Sequence, residues 1–341
     1  MRSRGVRIAG LVVILKAVAV SFAATLNAQS SLFFRIGTGS TAGTYFPIGG
    51  ILASAISRPP GSRVCKVEKD CGVDGLIAVV QSSEGSVANV QAIAEGRIES
   101  GLSQADVAFW AYSGIETFAE KGSLQDLRAI AHLFPESIHL VVRRNAGIFK
   151  ISDIKGLRIS LDVKGSGTRA DALLILKAFG IGLEEFEAMN LTSAVAADKL
   201  RVGELDGFFL VAGAPTNVVT QLAEDSLITL VPINGPKIEG LLEEHPFLKV
   251  GRIPAGTYFN VPNTVTLSVG AQWLVSANVS EAVVYEITRA LWSKEARELL
   301  DRGHYQGHFI TLESALDGLI VPLHRGARRF YSETGTQFPW D

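Results

Sequence analysis

Residues 31–56 read SLFFRIGTGSTAGTYFPIGGILASAI, and residues 156–180 read GLRISLDVKGSGTRADALLILKAFG. Each stretch opens on a short apolar run, passes through a loop rich in glycine and hydroxyls, and continues with apolar residues at helical spacing. In the first, 32–36 is expected as a buried strand, 37–44 as the turn and 47–56 as the helix. In the second, 157–162 is the strand, 163–167 the loop and 168–179 the helix, with Thr168 or Ser166 as its cap and Gly180 as its stop. A second pair has the same relation: AEGRIESGLSQADVAFWAY (94–112) and RVGELDGFFLVAGAPTNVVTQL (201–222). In both, a glycine closes one helix, an acidic residue follows three positions on, and a short strand leads to another helix. Strand 101–104 feeds a helix at Ala105, and strand 208–211 is followed by Pro215 at the start of the next helix.

This repeated strand, loop and helix pattern predicts an α/β fold of two lobes, each with a mainly parallel sheet flanked by helices. The linking stretch LRAIAHLFPESIHLVVRRNAG (127–147) reads as two apolar strands interrupted at Pro135-Glu136-Ser137, which sets the first crossing there. The return crossing is expected at 251–258. Beyond it come extended chain from Pro254, a helix over 281–300, and a tail of two short helices split at Pro322. The predicted organisation is therefore a leader at 1–28, lobe I at 29–136 with 252–341, and lobe II at 137–251. Such crossings make a hinge and a central cleft, and open α/β sheets bind ligands beyond the carboxyl ends of their strands.

The composition agrees. A chain of 341 residues with 47% hydrophobic and 19% charged residues can bury two cores of ordinary size. A formal charge of −2, with no basic stripe, disfavours a nucleic-acid partner. Residues 1–28 hold four of the basic residues and no acidic one. Their order, a basic head MRSRGVR, an apolar run and then small residues, reads as an export signal. Its candidate cleavage sites are Leu26-Asn27-Ala28 and Ser21-Phe22-Ala23, and the competing reading is a retained anchoring helix. Either way the rest of the chain lies outside the cytoplasm. Cys65 and Cys71, the two cysteines, are expected to close a short loop as a disulfide in an oxidising compartment.

The loops carry the chemistry. Gly37, Gly39 and Gly43 let backbone approach a ligand, Thr38, Ser40, Thr41 and Thr44 offer hydroxyls, and the following helix presents free N–H groups to the same space. The loop 164–169 repeats these elements and adds Arg169, whose guanidinium can grip a carboxylate with two bonds. Each loop taken alone is also explained as a tight turn with capping residues. Gln104, Tyr45, Phe209, Ser86 and Asn89 are further candidates for the pocket; for Ser86 capping is the competing explanation, and for Phe209 burial in the core. Enzymatic patterns are weak. Gly37-Thr38-Gly39 with Gly43 misses the dinucleotide fingerprint by one residue, no GxxxxGK[ST], HExxH or GxSxG occurs, and His304 and His308 lack a third metal ligand. No enzyme activity, metal or cofactor is expected.

IGTGSTAGTYFPIGG, QSSEGSVANVQAIAEGRIESGLSQADVAFWAY, LRAIAHLFPESIHLVVR, KGSGTRADALLIL, LDGFFLVAGAPT, IPAGTY and ALDGLIVPLHRGARRFY together resemble the TAXI family, in that family's order, from Phe33 to Tyr331. These are the extracytoplasmic solute-binding subunits of tripartite ATP-independent periplasmic (TRAP) transporters. The resemblance implies a two-lobed periplasmic-binding-protein-like fold that closes over a small organic anion, such as glutamate, glutamine or a dicarboxylate, and delivers it to membrane permease subunits. It places ligand contacts on Ser40, Thr41, Ala42 and Tyr45, on Gln104, and on Ser166, Gly167, Thr168 and Arg169. Lys164 departs from the acidic or proline-containing turn expected before that second loop. Two rivals stay open: a periplasmic sensor that binds the same anion, and an enzyme acting on an acidic metabolite.

Overall fold

The computed structural model describes residues 31–62, 65 and 71–338. The expected leader at 1–28 lies outside the described residues. One ten-stranded sheet runs through the molecule with helices on both faces.

The first half of the sheet follows the predicted grammar. Strand β1 (Leu32–Gly37) leads through a loop to helix α1 (Tyr45–Ile56), and a small ribbon pairs β2 (Ser57–Arg58) with β3 (Val73–Asp74). Next come β4 (Leu76–Gln81), α2 (Ser86–Ala94), β5 (Ser100–Gln104) and α3 (Ala105–Ser113). Cys65 and Cys71 are joined as a disulfide. The long β6 (Leu127–Arg143) follows.

The second half repeats the order: β7 (Arg158–Ser160), α4 (Gly167–Phe179), β8 (Glu187–Met189), α5 (Ser193–Arg201), β9 (Gly207–Ala212) and α6 (Asn217–Glu224). Then β10 (Ile228–Leu230), α7 (Pro236–Glu244) and β11 (Lys249–Ile253) lead to β12 (Thr264–Ser276). Three helices close the chain: α8 (Glu281–Leu291), α9 (Lys294–Gly303) and α10 (Arg325–Glu333).

Strand order shows the kinship of the halves. The sheet runs β4-β1-β5-β12-β6-β9-β7-β8. In each half the first strand, β1 or β7, lies between two parallel neighbours. The third strand of each half is then flanked by an antiparallel one that belongs to a crossing segment, β12 beside β5 and β6 beside β9. Parallel strands need crossover helices, which cover both faces, so β5 is buried at every position.

Matching ion pairs pin the two halves in the same place. Arg35 of β1 donates its backbone N–H and its guanidinium to Glu99, just before β5. Arg158 of β7 does the same to Asp206, just before β9. Gly96 and Gly203, each three residues before its acid, turn with φ of +69° and +79°, a region that glycine enters without the Cβ clash other residues meet.

Five sequence expectations are corrected. The stretch 127–143 is one continuous strand, with no break at Pro135. Pro135, which has no N–H, faces Gly270 of β12 beside a register irregularity, and β6 changes partner from β12 to β9 at Ser137. On the return, β12 pairs with β11 over Thr264–Ser268 and with β5 over Ala271–Val275; residues 254–263 are turns and coil, so the extended chain begins at Thr264. The helix expected at 281–300 is two, because Ser293 interrupts it and its Oγ accepts the Ala296 N–H to cap α9. In the tail only α10 is helical; Pro322 and His324 instead bond to Ala129 of β6. Pro215 precedes the cap residue Thr216, and α6 begins at Asn217.

Candidate functional site

The strands of both halves end at one cavity of about 380 Å³. Helices α1, α2, α3, α4 and α5 begin at its wall: Thr44, Gly85, Gln104, Ser166 and Thr192 are their cap residues, and all five line the cavity. Of the five cap residues, only Ser166 of α4 closes its helix's first turn, its Oγ accepting the Arg169 N–H at 3.1 Å. The other four have no side-chain cap. A helix start leaves N–H groups without intrahelical partners and carries the positive end of the helix dipole. Converging starts therefore make a polar, positively biased chamber built from backbone.

Side chains set the walls. From β1–α1 come Gly39, Ser40, Thr41 and Tyr45; from β4–α2 come Ser83, Glu84 and Ser86; Gln104 ends β5. The second half brings Asp162, Ser166, Gly167 and Thr168, with Ser193, Leu210 and Val211. Glu136 of β6 lies at the crossing between them. The halves touch directly here. Gln104 Nε2 donates to Asp171 Oδ2 at 2.6 Å, and the Ala88 N–H of α2 donates to the Gly165 carbonyl at 3.0 Å. A Cβ on Gly167 would overlap Gln104 Oε1 and crowd Ser86 Oγ. Gly167 thus permits the approach of the two halves.

Among the described residues that line the cavity there is no lysine, arginine or histidine, while Glu84, Glu136 and Asp162 are present. Burial pushes the Glu136 carboxyl up to about 8, opposed by its hydrogen bond with Tyr45 and aided by the negative charge of Asp106. Tyr45 Oη donates to Glu136 Oε2 at 2.6 Å. Burial also raises Asp162 to about 6, against hydrogen bonds from the Val163 N–H and from Ser166 and Thr168.

Most expected site residues meet here: Gly39, Ser40, Thr41, Tyr45, Ser86, Gln104, Ser166, Gly167 and Thr168 all line the cavity. Four lie elsewhere. Ala42 faces a neighbouring cavity beside α5 and α6. Asn89 is buried and ties the loop after β1 to strand β5, its Nδ2 donating to Thr38 O at 2.6 Å and Leu102 O at 2.7 Å. The Arg169 guanidinium is held by Asn190 Oδ1. Phe209 is fully packed in the core. Glu84, Glu136, Asp162 and Ser193 are additions. Of the histidines, His304 Nδ1 accepts the Gln306 N–H and His308 pairs with Asp301 at 3.2 Å.

Comparison with known proteins agrees with the fold. A protein from Bordetella bronchiseptica RB50 superposes with a TM-score of 0.52 at 14% identity, covering 91% of this chain and 84% of that one. PhnD1 from Prochlorococcus marinus (MIT 9301), solved in complex with methylphosphonate, does so with a TM-score of 0.50 at 11% identity, covering 89% and 99%. The alkanesulfonate-binding protein SsuA from Xanthomonas axonopodis pv. citri, bound to MOPS, gives 0.47 at 16% identity, covering 89% and 84%. The expected α/β fold, with its sheet flanked by helices, is the one found. The profile of the NMT1-like family matches residues 36–335, so the chain belongs to the NMT1-like family.

Proposed function

We propose that this chain is an extracytoplasmic solute-binding protein that closes its two halves over a small anionic or zwitterionic solute and hands it to a membrane transporter. One observation carries this reading: five helix starts drawn from both halves of the sheet converge on a single cavity. N–H groups fixed by the fold are donors that need no reorganisation, which is how oxyanions are held at helix starts. On this reading the hinge lies where β6 and β12 change partners, so that lobe I and lobe II divide near Ser137 and again near Val269.

The carboxyl groups narrow the solute. A dianion brought into a cavity without a basic side chain and with Glu84 and Asp162 in its walls would meet like charges. An α-amino acid fits better: its carboxylate toward the helix starts, its ammonium toward Glu84 and Asp162. This supports a glutamate- or glutamine-like ligand over 2-oxoglutarate. The order of the sequence blocks supports a TRAP permease as the partner. The fold shared with PhnD1, solved with methylphosphonate, supports a second reading, an oxyanion such as a phosphonate as cargo.

A thermal-shift screen of amino acids, di- and tricarboxylates, alkanesulfonates and alkylphosphonates tests this. A solute present at a hundred times its Kd adds about 2.7 kcal/mol, a rise of several degrees in Tm. An amino acid as the best hit supports the zwitterion, a phosphonate or sulfonate supports the second reading, and no shift from any of them rejects solute capture. An adjacent gene for a fused multi-span permease would assign the TRAP partner, whereas a transport ATPase gene there would remove it.

A further inference from the structure

Two carboxyl groups beside the cavity have no part in the capture described above. Asp106 lies in the first turn of α3, in the first half, and Asp171 in α4, in the second. Both are buried, and their carboxyl groups act on each other across the contact between the halves. Asp106 Oδ1 accepts the Val107 N–H at 2.7 Å, and Asp171 Oδ2 accepts Gln104 Nε2 at 2.6 Å. The remaining oxygens, Asp106 Oδ2 and Asp171 Oδ1, are buried with no donor among the described residues. A buried acceptor left without a donor is costly, and two facing carboxylates repel. One proton shared between the two groups supplies the missing donor and removes the repulsion.

We propose that Asp106 and Asp171 form a proton-held latch: closing the halves traps one proton between these carboxyls, and losing it at raised pH weakens closure. The latch rests on the reading of two halves that open and close. Burial, the charge and contact of Asp106 and the charge of Glu136 raise Asp171, while burial raises Asp106 against its contact with Asp171 and the Val107 N–H. The other titratable groups facing the pair are Glu136 from β6, Tyr45 from α1 and His245 at the end of α7; His245 opposes the rise at Asp106. In an open chain each carboxyl meets water and titrates near its ordinary value of about 4. The sign follows. The shared proton favours the closed form in full below that open-state value, and the advantage is lost as pH rises through the raised closed-state value.

The Ala88 amide reports closure directly, because its hydrogen bond to the Gly165 carbonyl joins the halves. In the full chain without solute, the protection factor of this amide against hydrogen exchange should fall as pH rises. For one trapped proton the fall is at most about tenfold per pH unit. Asp171→Asn and Asp106→Asn, which cannot ionise there, should abolish the dependence, while Glu136→Gln should keep it. A wild-type protection factor constant with pH overturns the latch. So does a fall that persists in both Asn variants, or one that only Glu136→Gln removes. Infrared difference spectra give a second measurement should a variant fold poorly: the wild type should show a protonated-carboxyl band that bleaches with rising pH in step with Ala88 protection, and its absence overturns the shared proton. Failure of the closure reading is separable. Scattering with and without L-glutamine or the best hit of the screen tests compaction by solute, whereas the latch is read with no solute present.

Discussion

Asp206 shows how much one side chain can hold. Its carboxylate accepts from the backbone and guanidinium of Arg158 and from Arg143, and these bonds, led by that to Arg158, hold it well below the usual carboxylate range. Asp206→Asn should cost about 1.5–3 kcal/mol, the range for hydrogen bonds to charged groups, read as a lower urea midpoint. Glu99→Gln should cost less, because among the described residues Glu99 serves Arg35 alone and its side chain is 26% exposed against 8% for Asp206. The Asp206 contribution is complete above its unfolded value of about 3.9. It is lost as pH falls through the depressed folded value, so the gap between wild type and Asp206→Asn should shrink in acid. The equivalence of Gly96 to Glu99 with Gly203 to Asp206 was legible in the sequence, because a helix stop and an acid at fixed spacing are local. The arginine partners were not, since they come from strands dozens of residues earlier. Arg169 and Phe209 show the same limit: residue type names a chemistry, but the direction of the side chain is set by neighbours such as Asn190 that spacing does not display.

At the level of elements, the loops after β1 and β7 were read correctly as strand, turn and helix, because their glycine and hydroxyl content is a local signal. Misreadings arose where long-range pairing outweighed a local breaker. Pro135 looked like an interruption, yet β12 and β9 hold the strand through it. The opposite happened between α8 and α9, where periodicity continued but Ser293 made a new start. The α4 start yields a direct test. Gly167→Ala places a methyl group where Gln104 Oε1 and Ser86 Oγ already sit, so the halves should be held apart. Since Gly167 has an ordinary helical backbone, outside the left-handed region, the thermal midpoint without solute should change little, while solute affinity should fall at least about tenfold, equivalent to ~1.4 kcal/mol. Calorimetry showing unaltered affinity would remove Gly167 from the closing contact.

For the molecule as a whole, capture by closure predicts that saturating solute lowers the radius of gyration; superimposable scattering curves would rule out a closing motion. Cys65 and Cys71 should likewise give no thiol reaction in unfolded, unreduced chain, consistent with their bond. The two-lobed plan was visible in the sequence because its pattern repeats. The meeting of Asp106 with Asp171 was not, because it exists only once the halves touch. The mirrored sheet has a consequence for biosynthesis. The strand that completes the first half, β12, is made after nearly all of the second, so β5 has no neighbour on that side until residue 276 has emerged. A chain stopped near residue 250 would present an unpaired sheet edge that the finished fold buries at every position, the usual template for aggregation. The first half should therefore aggregate when expressed without β12, and a chaperone that shields β5 during synthesis should raise the yield of full-length protein.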